Sequence, residues 1–338
     1  MAKLIKTFYD SKQQRLNHIY YTNNNKKEGE YKEYYYDGQL SVTYNYIDGK
    51  MEGEYKSYYN NGQLYIIYNY IDDKIEGEYR IYYMDGERYA TCNYIDGKRE
   101  GEYKSYHRNQ QLNEICNYND GKMEGEFKEY YCDGELRRIC YYVNGKMEGE
   151  FKLYHHNHSW QLEEICNYIG GRKEGEYKLY YENGQLKEIC NYIDNKMEGE
   201  YKAYHNNGHL YVTCNYIDGI IESEYRKFHN NGQLREICNY SNGKIDGEYK
   251  EYYYGGELCK ICNYIDGKID GEYKRYYNNG QLSIICNYID GRKKGEYKEY
   301  HENGQLKEIS NYMNGKIEGE HKSYHENGQL NMICYYNT

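Results

Sequence analysis

Residues 271–294, GEYKRYYNNGQLSIICNYIDGRKK, are one statement of a sentence that the chain repeats from end to end. Two dipeptides punctuate it, Asn279-Gly280 and Asp290-Gly291, and both tolerate the positive φ angles of tight hairpin turns. The runs between them are rich in Tyr, Ile and Cys, too short for helices and of strand-favouring composition. The stretch therefore predicts two antiparallel strands joined by two-residue turns. On that reading the first turn sets Tyr277 opposite Leu282, Tyr273 opposite Cys286 and Gly271 opposite Tyr288. The second sets Tyr288 opposite Lys293 and Cys286 opposite Gly295. Cross-strand partners share a face, so Tyr273, Tyr277, Leu282, Cys286 and Tyr288 form the predicted core. Most equivalents of Lys293 are Met or Ile, among them Met51, Ile75, Met197 and Ile269, which marks this face as the apolar one.

Working outward, the Leu after the first turn recurs at 16, 40, 64, 112, 136, 162, 186, 210, 234, 258, 282, 306 and 330, with Arg88 replacing it once. That makes fourteen units spaced by 24 residues, with a single step of 26. The Gly that opens GEYK recurs likewise, with Ser223 standing in once. No region escapes the period, so the expectation is one array over 1–338 with no separate globular domain. The fold class is all-β: an elongated meander of antiparallel hairpins with about twenty-eight strands, roughly 130 Å long at about 4.8 Å per strand. The face opposite the core carries Glu272, Lys274 and Asn287, yet the column of Tyr276 is aromatic in every unit from the second onward. One flat layer cannot bury two apolar stripes, so the sheet is expected to curl into a trough or superhelix. The Gly of GEYK permits the bend and lets the facing Tyr ring lie across the backbone.

Composition narrows the function. The chain has 54 Tyr, four Phe, one Trp and no Pro, and its net charge is −10. An acidic balance argues against nonspecific nucleic-acid binding, which depends on a basic face, and against a purely electrostatic attraction to anionic membranes. No apolar run approaches the length that spans a bilayer, and MAKLIKTFYDSKQQ lacks the apolar core of a signal peptide, so an intracellular, soluble protein is expected.

The pattern YYxNGQL…NYIDGKxEGEYK resembles the MORN repeat, in the divergent form found in bacterial proteins and in giant-virus arrays, and the resemblance covers the whole chain. It implies an elongated β-hairpin sheet used as an interaction scaffold, with lipid association attributed to some members.

Residues that would carry chemistry read mostly as structure. The Cys column, from Cys92 to Cys334, places equivalent thiols about 9.5 Å apart, beyond disulfide reach. In the one CxxC, Cys259 and Cys262 are expected on opposite faces of a strand. His107, His155, His205, His229, His301 and His325 all replace the Tyr of the Tyr277 column, as a flat, half-buried ring would allow. Carboxylates recur in most units, and no unit joins a unique acid to a unique base, so no catalytic, cofactor or metal residue is assigned and no enzyme is expected. The loop His155-His156-Asn157-His158-Ser159-Trp160 is two residues longer than its counterparts; its imidazoles suit a transition metal and its Trp a partner anchor. The expected function is a non-catalytic scaffold for protein–protein interaction, with Tyr180, Tyr204, Tyr252, Tyr276 and Trp160 as candidate partner contacts. The alternatives are lipid association and self-assembly through the terminal edge strands.

Overall fold

The computed structural model describes residues 2–10, 12, 14–156 and 160–337. The chain divides into two units, Met1–Arg172 and Lys173–Thr338. Both are antiparallel meanders in which strands adjacent in sequence pair, as Gly271–Tyr276 pairs with Leu282–Ile289, and Lys26–Tyr34 with Leu40–Ile47. The described residues hold thirty-two strands and no helix. The excess over the expected twenty-eight comes from four GEYK strands interrupted one residue before their Gly, for example Lys268–Ile269 and Gly271–Tyr276.

The Asp-Gly turns form as read: Asp290 and Gly291 have φ of 51° and 78°, the signature of a type I′ hairpin. The Asn-Gly turns do not. Only Gly280 is left-handed, at φ 81°. Its N–H donates to Tyr277 O at 2.9 Å, while the Tyr277 N–H donates to Gln281 O at 2.8 Å. The cause is the Asn279 side chain, whose Oδ1 accepts the Gln281 N–H at 3.0 Å, an Asx contact that holds Asn279 right-handed and leaves Gly280 alone to close the turn.

That longer turn moves the register by one residue. Tyr276, not Tyr277, pairs with Leu282, and a bulge follows before Arg275 pairs with Ile284. One inserted residue exchanges faces, so Leu282 leaves the predicted core and shares the opposite face with Tyr276. Ser283 takes its place on the core face, where it is buried. A second bulge falls where Cys286 was expected opposite Gly295. Ile285 pairs with Lys298 and Asn287 with Lys294, so three residues beginning at Gly295 face one Cys. Two extra residues preserve the alternation, and Tyr273 and Tyr288 remain together, with rings 5.7 Å apart.

Every buried residue among those described lies on the core face. The Cys column is its floor, with Cys238 only 1% exposed. In the first units that column is Tyr, and Tyr31, Tyr44, Tyr55, Tyr68 and Tyr79 stack in succession with centroids 4.6 to 5.6 Å apart. The GEYK ring also meets the next strand's Tyr edge-on, both where the column is Tyr, as Tyr31 meets Tyr46, and where it is Cys, as Phe127 meets Tyr142. Cations in the Met/Ile column are accommodated by these rings. Lys293 Nζ lies 4.2 Å and 4.9 Å from the Tyr297 and Tyr312 centroids, and Lys27 and Arg99 sit similarly. Such cation–π contacts replace apolar packing with an interaction of about 1 kcal/mol.

Candidate functional site

The surface with recurring chemistry is the face opposite the core, and each unit builds it alike. The GEYK strand contributes Glu272, Lys274 and Tyr276, and the returning strand contributes Leu282, Ile285, Asn287 and Ile289. Lys274 pairs in register with Ile285 and Tyr276 with Leu282. An ion pair between the Lys or Arg and the Glu two residues before it recurs in every unit from the second onward, as at Lys32–Glu30, Lys202–Glu200 and Lys274–Glu272. Neutralised in this way, the charges flank the stripe without giving it a strong field of one sign.

The candidate contacts Tyr180, Tyr204, Tyr252 and Tyr276 all lie on this face, and all are half-buried. Their backbones are tied as well: Tyr181 Oη donates to Tyr204 O at 2.8 Å, and Tyr253 Oη to Tyr276 O at 2.8 Å. This bond accounts for His107, His205, His229 and His301 in the Tyr277 column. His205 Nε2 lies 3.2 Å from Phe228 O and His229 Nε2 3.1 Å from Tyr252 O. A carbonyl only accepts, so either ring serves if it presents a donor at that reach.

More open than the Tyr stripe is a row the sequence reading passed over. Ile47, Ile71, Ile95, Val143 and Ile169 in the first unit are exposed, as are Ile193, Ile217, Ile265, Ile289 and Met313 in the second, and the isoleucines are all more than half accessible. All occupy the Ile289 column. Alternation from Asn287 was the available signal: a strand that turns Asn287 away from the core turns Ile289 the same way. An open groove of about 630 Å³ runs beside this row, lined by Ile47, Ile71, Glu28, Glu52 and Glu76. These carboxylates accept turn N–H groups, Glu28 from Asp48 and Glu52 from Asp72, each at 2.9 Å. A second groove brings Leu136, Ile139, Val143 and Tyr154 together on the same face.

Trp160 is 61% exposed. It stands where other turns have Gly, at φ 54°. His158, with Asn157 and Ser159, lies outside the described residues. His156 Nε2 lies 2.8 Å from Asp133 Oδ2. His155 faces Glu163, with Nδ1 3.8 Å from its carboxylate.

The thiols are not poised for nucleophilic work. Burial pushes Cys116, Cys190 and Cys214 up to about 11 and Cys238 up to about 12, with Glu114, Glu188 and Glu236 adding to the first, second and last of these, which keeps them protonated at neutral pH. Cys259 and Cys262 are both buried free thiols. The bulge at Cys259 brings it to the core face, where it approaches Tyr253, so the expected opposition of the two side chains does not hold.

The MORN repeat variant model matches eleven segments: 27–48, 51–72, 99–120, 123–144, 173–194, 197–218, 221–242, 245–266, 269–290, 293–314 and 317–338. The chain belongs to the MORN repeat variant family. A repeat scaffold or interaction module in the general sense is what such repeats supply. No curated protein matches the chain. Among solved structures, it is similar to the crystal structure of TcdB2-TccC3, at 12% identity over 96% of this chain and 20% of that one, with a TM-score of 0.18. It is also similar to that of TcdB2-TccC3-Cdc42, at 11% identity over 99% and 23%, with a TM-score of 0.17. The MORN chain thus spans about a fifth of the length of these structures. No helix among its described residues is long and apolar enough to cross a membrane.

Proposed function

We propose that this MORN array is a non-catalytic scaffold that holds a protein partner along the face opposite its core. The observation that carries the reading is the row of exposed aliphatic residues at the same column, Ile in eight repeats together with Val143 and Met313. Single exposed aliphatics are ordinary on protein surfaces, but runs of them in one column, such as Ile47, Ile71 and Ile95 in one unit and Ile193 and Ile217 in the other, form an apolar ridge within each unit, and extended apolar patches mark interaction sites. Successive ridge residues are two strands apart, about 9.6 Å, so a partner meets the same feature at regular intervals. The half-buried Tyr180, Tyr204, Tyr252 and Tyr276 form a stiffer floor beside the ridge, and Tyr is well suited to such contacts. Trp160 is an anchor at the longer turn. The carboxylates along the groove favour a basic, apolar segment of the partner.

The test replaces Ile193, Ile217, Ile265 and Ile289 together with Ser in the full chain and follows a partner identified by cross-linking to the ridge. Expected is loss of the partner with thermal unfolding unchanged, because the side chains are already exposed. Retention of the partner, or a cross-link map confined to the core face, overturns the reading. Flotation with liposomes that survives added salt assigns the ridge to lipid instead, and concentration-dependent sedimentation abolished by the Ser variant assigns it to self-association.

A further inference from the structure

Asp133, Glu135 and His156 bring their ligand atoms within 4.8 Å of one another, and the turns around them are built to keep them there. Asp133 Oδ1 accepts the Glu135 N–H at 3.1 Å, which fixes the carboxylate and directs Oδ2 to His156 Nε2, 2.8 Å away. The Tyr131 ring lies against the imidazole at 4.3 Å with planes 35° apart, setting the direction of the ring nitrogen. The Asp85 turn is the informative comparison. There Asp85 and Glu87 have the same spacing, and the residue of the next repeat that reaches over them is Arg108, with Nη1 3.4 Å from Asp85 Oδ2. A guanidinium can only neutralise. At the equivalent place stands His156, whose ring nitrogen can hold a metal ion in place of a proton, so two carboxylates and an imidazole converge where the other turn has a guanidinium.

We propose that Asp133, Glu135 and His156 bind a divalent transition-metal ion of the Zn²⁺ class and staple two neighbouring repeats of the Met1–Arg172 unit. Imidazole with carboxylates suits Zn²⁺, Co²⁺ and Ni²⁺, whereas Mg²⁺ and Ca²⁺ take oxygen donors throughout. Zn²⁺ holds such donors at about 2.0–2.2 Å, which sets pairs of them about 3.5 Å apart in a tetrahedral site, within reach of small rotations of these turn side chains. A tetrahedral ion takes one donor beyond these three. On binding, the ion takes the place of the Nε2 proton that faces Asp133. The displaced proton goes to Nδ1 or to solvent, which leaves the Nδ1–H tautomer on the metal.

The experiment titrates the full chain with ZnCl₂ by calorimetry, in a Cys132→Ser background because Cys132 is the one thiol among those described that is exposed. One Zn²⁺ per chain is expected, with binding weakened at least about tenfold, or about 1.4 kcal/mol, in each of Asp133→Asn, Glu135→Gln and His156→Gln. Asp85→Asn leaves it unchanged. Asn stands at the Asp133 position in other turns, as at Asn279, so that variant keeps the Asx contact and the fold, and the metal-free melting of all variants is checked against the parent. No saturable binding up to about 1 mM Zn²⁺, or binding that survives His156→Gln, overturns the proposal.

Discussion

Replacing Ser223 with Gly is predicted to stabilise the protein, although it removes a side chain and adds no contact. Ser223 occupies the column of the GEYK glycines at φ 70°, and its neighbours in that column, Gly199 and Gly247, have φ of 78° and 95°. A Cβ built on either glycine meets nothing within 4 Å. The column therefore holds Gly for its backbone, not for space, and the cost of any other residue is conformational. A left-handed conformation costs an L-residue about 1–2 kcal/mol, and Gly gives back about 0.5–1 kcal/mol through its freedom in the unfolded chain. Ser223→Gly should gain about 0.5–1 kcal/mol, and Gly199→Ala should lose a similar amount. The assay is urea unfolding of the full chain at 25 °C. Amide exchange in Lys196–Tyr204 and Ile220–Phe228 accompanies it, because a repeat array need not unfold in one step. A neutral Gly199→Ala, or a Ser223→Gly that destabilises, refutes the bulge as the reason for the glycine.

Tyr181→Phe removes the donor to Tyr204 O and should cost about 1 kcal/mol in urea unfolding, while Tyr181→His should cost less, since His205 and His229 already make the equivalent bond. Glu114 is pushed above the usual carboxylate range, first by burial and then by Glu129 opposite it, with Arg138 opposing. Its folded state favours the proton, so the ionised form costs stability at neutral pH and that cost disappears as pH falls through the raised value. Glu114→Gln should therefore raise the unfolding midpoint at pH 7.5 and lose its advantage toward pH 4. A thiol reagent should label Cys132 quickly and the partly buried Cys334 more slowly, and the ten buried thiols only with denaturant, as mass spectrometry of the labelled chain will show.

How far the sequence led depended on whether a feature was set by backbone type or by a side chain acting on the backbone. The Asp-Gly hairpins were legible because Asp290 and Gly291 need only positive φ, and their register, Tyr288 opposite Lys293, followed. Asn279-Gly280 has the same turn vocabulary but a different turn, because one Asx bond to Gln281 outweighs the preference of the dipeptide. That single residue of slip carried Leu282 off the core face and Ser283 onto it. The five core positions inferred from pairing therefore kept Tyr273, Tyr277, Cys286 and Tyr288 and lost the one next to the turn. Of the candidate contacts, the Tyr276 column was found by its unbroken repetition, and the Ile289 column was missed because it is interrupted, as at Asn119 and Ser241, and because isoleucine beside a turn reads as ordinary strand former.

This difference bears on which residues of the array are available for work. In a repeat, a side chain that holds the units together is needed at every unit, and the Tyr276 column meets that description: its rings are half-buried and its carbonyls accept the Tyr253-type hydroxyl in successive repeats. The Ile289 column makes no comparable demand. Asn119 and Ser241 interrupt it in the sequence, while the strands that carry them, Leu112–Asn119 and Leu234–Ser241, keep the same burial pattern at their ends as the Ile strands. The fold therefore does not require isoleucine there, and exposed isoleucine adds aggregation risk without packing. A position that structure leaves free and that is nonetheless apolar in most repeats is where a binding surface is separable from the scaffold, and the Ser substitutions in the ridge act on that separation directly.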